Sequence, residues 1–302
     1  MIALFALEVR RFLARRLLRV LLALSLLGIV VAGVIVFVQS DRDLAAARAL
    51  AVQQQQREIQ NCLDGHFGPL PGEGEPGFDR RAACEEVVGL FVEDPRFHLS
   101  SLPGIFLGTS VPLIILAWVL AASFVGAEWH AGTITTWLTW EPRRVRLLIA
   151  KALAAMVSAI GITFLLQAVL GLALVPAAAV RGTMEGVGAS WAGDVAAVVG
   201  RGAVAAALMA LLGLSLAGVG RNTAAALGAG FVYLAVVENL VRGLRPQWTP
   251  WLLTDNAARF VAAGPPGFLP GRTTLGAAVV VASYTAAVFA AALLLFRARD
   301  VT

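Results

Sequence analysis

The sequence predicts an all-α integral membrane protein with six transmembrane helices and an amino-terminal interfacial helix. Three observations predict it. The 302 residues are 59% hydrophobic and 14% charged, against about 45–50% and about 25% in a water-soluble domain, and the mean hydropathy is +0.79. The apolar residues fall in six runs of about twenty, the length a helix needs to cross about 30 Å of hydrocarbon. None of the runs alternates as the strands of a membrane barrel would.

At the amino terminus, residues 1–16 read as a helix lying flat in the headgroup layer. Ile2, Phe5, Val9, Phe12 and Leu13 share one face, and Glu8, Arg11 and Arg15 share another. A plain basic flank is the alternative. The first span is placed at 17–38. It is longer than the 7–15 apolar residues of a signal peptide, and no small-residue cleavage site follows it.

Residues 41–101 form the longest connection. Its first part reads as a helix that continues the first span, with Leu44, Ala47, Leu50 and Ala51 on one side, until Pro69, Pro71 and Pro76 break it. The only two cysteines, Cys62 and Cys84, flank this loop. In an oxidising compartment a disulfide explains them better than free thiols, and closing a loop of this size contributes roughly 3 kcal/mol. With His66 the pair leaves a structural zinc site one ligand short.

The second and third spans are placed at 105–125 and 147–175, and the bridge between them, 128–146, is the most informative segment. It holds Glu128, Trp129 and His130, a break at Gly132 and Thr133, a tryptophan-bearing helix with Trp137 and Trp140, then Pro142, Arg143, Arg144 and Arg146. Trp129, Trp137 and Trp140 are expected at one membrane interface, and Trp191, Trp248 and Trp251 at the other. His130 reads as an interfacial polar residue. For Glu128, pairing with Arg143 or Arg144 and direct contact with another protein are both open.

Spans four, five and six are placed at 195–219, 223–241 and 275–296. They are rich in small residues, including Gly213, Gly218, Gly220, Gly228 and Gly230. Such residues let helices approach closely, but a GC-rich codon bias accounts for them as well, and the single lysine among 24 basic residues points the same way. Residues 246–263 read as a re-entrant hairpin or as a surface loop.

Orientation follows from the arginines, which are retained on the cytoplasmic side. With the amino terminus inside, the inner segments carry twelve basic side chains against Glu8, Glu128, Glu141 and Asp300. Both termini are therefore expected inside. The basic balance is topological, and nucleic acid is not an expected partner.

Ionisable groups at membrane depth are costly and often functional. Arg201 and Glu238 lie at similar depth, so a salt bridge between neighbouring helices is feasible. A structural pair or a snorkelling arginine explains them more simply than a substrate ligand does. Gln167 and Asn239 suit either a pathway lining or a hydrogen bond between helices. No catalytic constellation emerges. The spans hold no paired aspartates, His66 and His98 are placed on the opposite side from His130, and Lys151 follows Ala150 without the glycine-rich frame of a P-loop. The chain is not expected to be an enzyme, and neither a metal nor a cofactor is expected in it.

The run Glu128, Gly132, Thr133, Leu138, Pro142, Arg144 and Lys151, set between the second and third of six spans, resembles permease subunits of type 2 ABC transporters, particularly those of high-GC Gram-positive bacteria. In that family an arginine often follows the proline by three residues, whereas here Arg143 and Arg144 follow directly. The resemblance implies the exporter-like permease fold in a bacterial plasma membrane, with both termini cytoplasmic. It also implies that Glu128 to Arg144 is the coupling segment against a cytoplasmic ABC ATPase subunit, with the turn at Gly220, Arg221 and Asn222 as a second contact. Two permease copies, in a homodimer, would work with two ATPases, which supply ATP and Mg, and residues 246–263 would form the outer gate. A membrane-anchored sensor or assembly protein without transport is the rival reading. The few charges at membrane depth favour an amphipathic drug, lipid or peptide over an inorganic ion as cargo.

Overall fold

Long runs of Leu, Val and Ala satisfy their backbone groups within the segment only as helices, which is why the apolar stretches fold this way. The computed structural model describes residues 2–40, 43–66, 68, 70, 73, 78–88, 94, 96–140, 143–263 and 272–298. In order, α1 is Ile2–Leu13, α2 Arg16–Gln39, α3 Leu44–Leu63, α4 Arg80–Val87, α5 Leu102–His130, α6 Thr133–Trp140 and α7 Arg144–Pro176. They are followed by α8 Ala189–Gly220, α9 Thr223–Val232, α10 Glu238–Leu244, α11 Leu253–Ala262 and α12 Thr274–Ala298. A π turn, Tyr233–Val237, joins α9 to α10, and a second, Ala177–Arg181, extends α7.

Among the described residues six helical segments, 16–39, 99–130, 144–181, 189–220, 223–244 and 274–298, are long and apolar enough to cross a bilayer, and the chain is a multi-pass membrane protein. Most outrun the sequence-based spans because polar flanks continue the helix past the hydrocarbon. Helix α7 starts at Arg144 and α8 at Ala189, so Arg201 lies about three turns inside its helix.

The chain divides into two compact units, described separately. The larger comprises Met1–Val30, Ser100–Leu172 and Gly186–Thr302. Its core is built from α5, α7 and α8, with Phe12, Leu18 and Phe296 from α1, α2 and α12 buried in it. Glycines decide how close these helices come. Trp118 of α5 lies against Gly213 of α8 and Gly230 of α9, and a Cβ on either glycine would fall inside the indole. Gly126 of α5 meets Thr223 at the start of α9, where an added Cβ would stand 2.7 Å from the Thr223 Cα. The small residues at these three positions are thus packing residues. Gly228 meets nothing within 4 Å in the chain, so packing within the chain does not require it.

The smaller unit comprises Val31–Leu99 and Ala173–Glu185. Asp43 caps α3 by accepting from the Ala45 and Ala46 amides, and Asp79 caps α4 in the same way through Arg81 and Ala82. Helix α3 therefore has its own start and does not simply continue α2. Ala51 is buried as expected, but Leu50 is exposed. The side chains of Leu44 and Ala47, and Pro69, Pro71 and Pro76, lie outside the described residues. Cys62 and Cys84 are joined by a disulfide, with Cα atoms 5.9 Å apart, and Leu70 is buried beside them. The Ser40 hydroxyl donates to the Arg181 carbonyl and accepts from the Phe97 amide, so one side chain ties two chain crossings. Asp94 accepts from Arg96 and His98, and the Arg96 guanidinium holds its carboxyl well below the usual carboxylate range. Replacing both cysteines by alanine is expected to lower the local stability of this helical pair by about 3 kcal/mol. Limited proteolysis would report it as faster cleavage between 44 and 88, with the spans left intact.

Candidate functional site

The bridge between the second and third spans keeps the break at Gly132 and Thr133 but is shorter than 128–146, because both flanking helices run on into it. Helix α5 runs on to His130, so Glu128, Trp129 and His130 form the last turn of a span and precede the bridge. Gly132 then turns the chain with φ +65°, a left-handed conformation that a side chain would strain. The Thr133 hydroxyl donates to the Glu128 carbonyl, and α6 begins. Ile134 inserts into the core at 3% exposure, while Thr133, Thr136 and Thr139 are exposed. The side chains of Trp137, Leu138 and Trp140, and Glu141 and Pro142 altogether, lie outside the described residues. Arg143 is exposed, and Arg144 and Arg146 are half-buried in the first turn of α7.

The carboxylate of Glu128 pairs with neither Arg143 nor Arg144. It takes Arg11 at 2.8 Å and Lys151 at 2.9 and 2.8 Å. Glu8 takes the same two cations, each at 2.9 Å. The result is a closed ring of two anions and two cations in which every acid touches both bases. Glu8 is 0% exposed, Lys151 1% and Glu128 7%. Stripping water from such groups is costly unless geometry and pairing are good, and here each carboxylate has two charge-assisted partners. Phe124 forms the floor, with the Lys151 ammonium 4.7 Å and the Arg15 guanidinium 5.5 Å from its ring centroid, and with Phe12 edge-on at 5.1 Å.

The ring revises the reading of α1. Its charged face turns into the protein through Glu8, while Ile2, Leu7 and Leu13 are exposed. Phe12 turns inward with Glu8, so the helix is held by one buried ring as well as by charge.

A second clasp lies beside the first. Arg221 takes a left-handed conformation, φ +52°, in the turn between α8 and α9, and Asn222 caps α9 by accepting from the Ala224 amide. The Arg221 guanidinium lies 4.8 Å over the Trp129 ring, and Trp129 meets Phe296 edge-on at 6.0 Å. Trp129 is therefore half-buried among helices. The ends of α5 and α12 and the α8–α9 turn are held together, while His130 stays exposed.

At the other end of the larger unit, Arg201 and Glu238 do not form the anticipated pair. The Arg201 Nε donates to the Val261 carbonyl at 3.0 Å, and Glu238 binds Arg242 of its own helix at 3.1 Å and the Thr254 amide at 3.1 Å. Arg242 also reaches Asp255 at 3.0 Å. This cluster pins α11 to α10 and α8. The Asn239 amide donates to the Ala235 carbonyl one turn back and accepts from Arg242. Gln167 bonds between helices, donating to the Phe106 carbonyl and the Ser110 hydroxyl, both at 3.3 Å.

Sequence reasoning placed Glu8 and Arg11 on the charged face of the first helix and Lys151 at the start of the third span without pairing them, and it gave no role to Trp118 or Arg242. One signal was available for Lys151. It is the only lysine in the chain, and it sits where a third span begins. Among the described residues no group of three or more His, Cys, Asp and Glu side chains is placed to hold a metal ion. No known family, curated protein or solved structure matches the chain.

Proposed function

We propose that the chain is the membrane subunit of an ATP-driven exporter of the type 2 ABC kind. Two copies work with two separate cytoplasmic ATPase subunits, which bind the ATP and Mg. The observation that carries the reading is α6. It is a short helix between two spans, rooted by Ile134 and preceded by the Gly132 turn, with Thr133, Thr136 and Thr139 facing out. A push on such a helix reaches the spans only if its neighbours yield together. The ion ring joins α1, α5 and α7, and the Arg221–Trp129 contact adds the α8–α9 turn, so these ends move as one block. The arginine distribution supports the same reading, with this block and both termini in the cytoplasm of a bacterial plasma membrane. The coupling surface is then α6 with Arg143 and Arg221, and the buried Glu128 braces it from within. The cluster of Glu238, Arg242 and Asp255 stabilises the helix expected to act as the outer gate.

The test is purification of the full chain with its associated ATPase, followed by reconstitution. Thr136→Arg places a bulky charge on the exposed side of α6, and stimulation of ATP hydrolysis is expected to fall about tenfold, a loss of about 1.4 kcal/mol, with unchanged thermal stability. Absence of a co-purifying ATPase, or full stimulation by the variant, overturns the reading. The disulfide-tied pair of α3 and α4 favours the second reading, a membrane sensor without transport. A kinase or regulator in place of an ATPase in the purified complex would establish it.

A further inference from the structure

A groove of about 690 Å³ runs along the first half of α12 in the larger unit, beside Trp251 at the end of the 3-10 helix Pro246–Trp251. Its volume is in the range of small-molecule sites. The two ends of the groove differ in chemistry. Arg272 and Thr273 line it just before α12 begins, and Leu275, Val279, Val280 and Ala287 carry it about three and a half turns into the helix. Arg272 is the one charged residue among the described residues that line it.

What each polar group can still offer follows from the bonds it makes. The Ser283 hydroxyl donates to the Val279 carbonyl at 2.7 Å, and Tyr284 donates to the Trp251 carbonyl at 3.1 Å. Both protons are engaged, so the long arm of the groove presents no donor to a ligand. At the head of the groove the Thr273 hydroxyl oxygen accepts from the Gly276 amide at 3.1 Å, and its own proton is left to donate from an exposed side chain. The Arg272 guanidinium sits 3.9 Å over the Trp251 ring and donates through Nε to the Pro250 carbonyl at 3.1 Å. These two contacts fix the fork in place. Its terminal nitrogens make no hydrogen bond and meet no carboxylate among the described residues, and unlike the buried Nη1 of Arg15 both are accessible. Arg259 donates to the Arg272 backbone carbonyl, so a second cation shares this corner.

We propose that this groove holds an anionic phospholipid, with its phosphate against the Arg272 terminal nitrogens and the Thr273 hydroxyl and one acyl chain along α12. A guanidinium meets two phosphate oxygens with two parallel N–H bonds, and basic pockets beside membrane helices bind acidic headgroups on the same ground. A zwitterionic headgroup brings its own cation to a corner that already holds two, which favours a lipid of net negative charge. A free phosphate would leave the apolar arm uncovered, whereas an acyl chain covers it. Leu275 and Val279 are exposed, so the chain enters sideways from the bilayer. The site is independent of the ATP-driven reading, since it requires only that the helices sit in a membrane.

The full chain would be reconstituted in phosphatidylcholine nanodiscs with a trace of phosphatidylglycerol or of phosphatidylcholine, each carrying the same diazirine in one acyl chain. The expected result is adducts on residues 275–287 that form about tenfold more with the phosphatidylglycerol probe, a difference of about 1.4 kcal/mol. Phe164 and Leu165, exposed on α7, are expected to label equally with both. Arg272→Gln is expected to bring the two probes to equal labelling at 275–287, and Arg272→Lys to retain a preference. Equal labelling of the wild-type chain there would mean a groove filled by any acyl chain, and no adducts with either probe would mean a groove covered by protein. Either result overturns the proposal. So does an undiminished preference in Arg272→Gln, and if that variant fails to fold, the wild-type comparison decides alone.

Discussion

Lys151→Met is expected to lower the unfolding free energy by about 3–5 kcal/mol, the usual consequence of leaving a buried charge without its partner. The reason is the closed ring. Lys151 serves both Glu8 and Glu128, so its removal leaves two carboxylates sharing Arg11 at a site where Glu8 has no exposure to solvent. Thermal or denaturant unfolding of the detergent-solubilised chain would measure it. The informative comparison is Lys151→Met with Glu128→Gln, which restores charge balance through the Glu8–Arg11 pair. The double variant is expected to be more stable than Lys151→Met alone, giving a coupling energy in a double-mutant cycle. Additive losses would show that the ring contributes packing and no electrostatic balance.

The second large effect lies at Trp118. Gly213→Ala and Gly230→Ala are each expected to destabilise by about 1–3 kcal/mol or more through overpacking. They differ in what relieves them. At Gly230 the atoms met by a new Cβ belong to the indole, so truncating Trp118 to Ala opens room and Trp118→Ala is expected to rescue part of the loss. At Gly213 a new Cβ would also stand 2.6 Å from the Trp118 backbone carbonyl. Backbone remains after truncation, so no rescue is expected there. Melting temperatures of the two singles and two doubles in detergent check this contrast. Equal rescue at both sites would rule out the backbone contact as the limiting one.

The spans were legible because the thickness of hydrocarbon imposes a length on each apolar run, and that length can be counted without knowing any neighbour. The Cys62–Cys84 pairing was legible because two cysteines leave one intramolecular choice. Azimuth was not legible. Arg201 and Glu238 share a depth, but depth does not say which way a side chain points round its helix, and the two turn to different partners. The helical i, i+4 relation between Glu238 and Arg242 was in the sequence and would have named the true partner. The ring was hidden for another reason. Glu8 and Lys151 stand 143 residues apart, so periodicity within either helix is silent about their meeting. Gly213 and Gly228 look alike in composition, and only the location of Trp118 separates them.

Burial of the chain's one lysine has a practical corollary. Acylating reagents need an accessible primary amine, and the Lys151 amine is buried between two glutamates. Its modification rate therefore reports the population of molecules in which this corner has opened. A lysine introduced at any exposed position becomes a sole chemical handle among the side chains, and the native one remains as an internal clock for the loosening of the bundle.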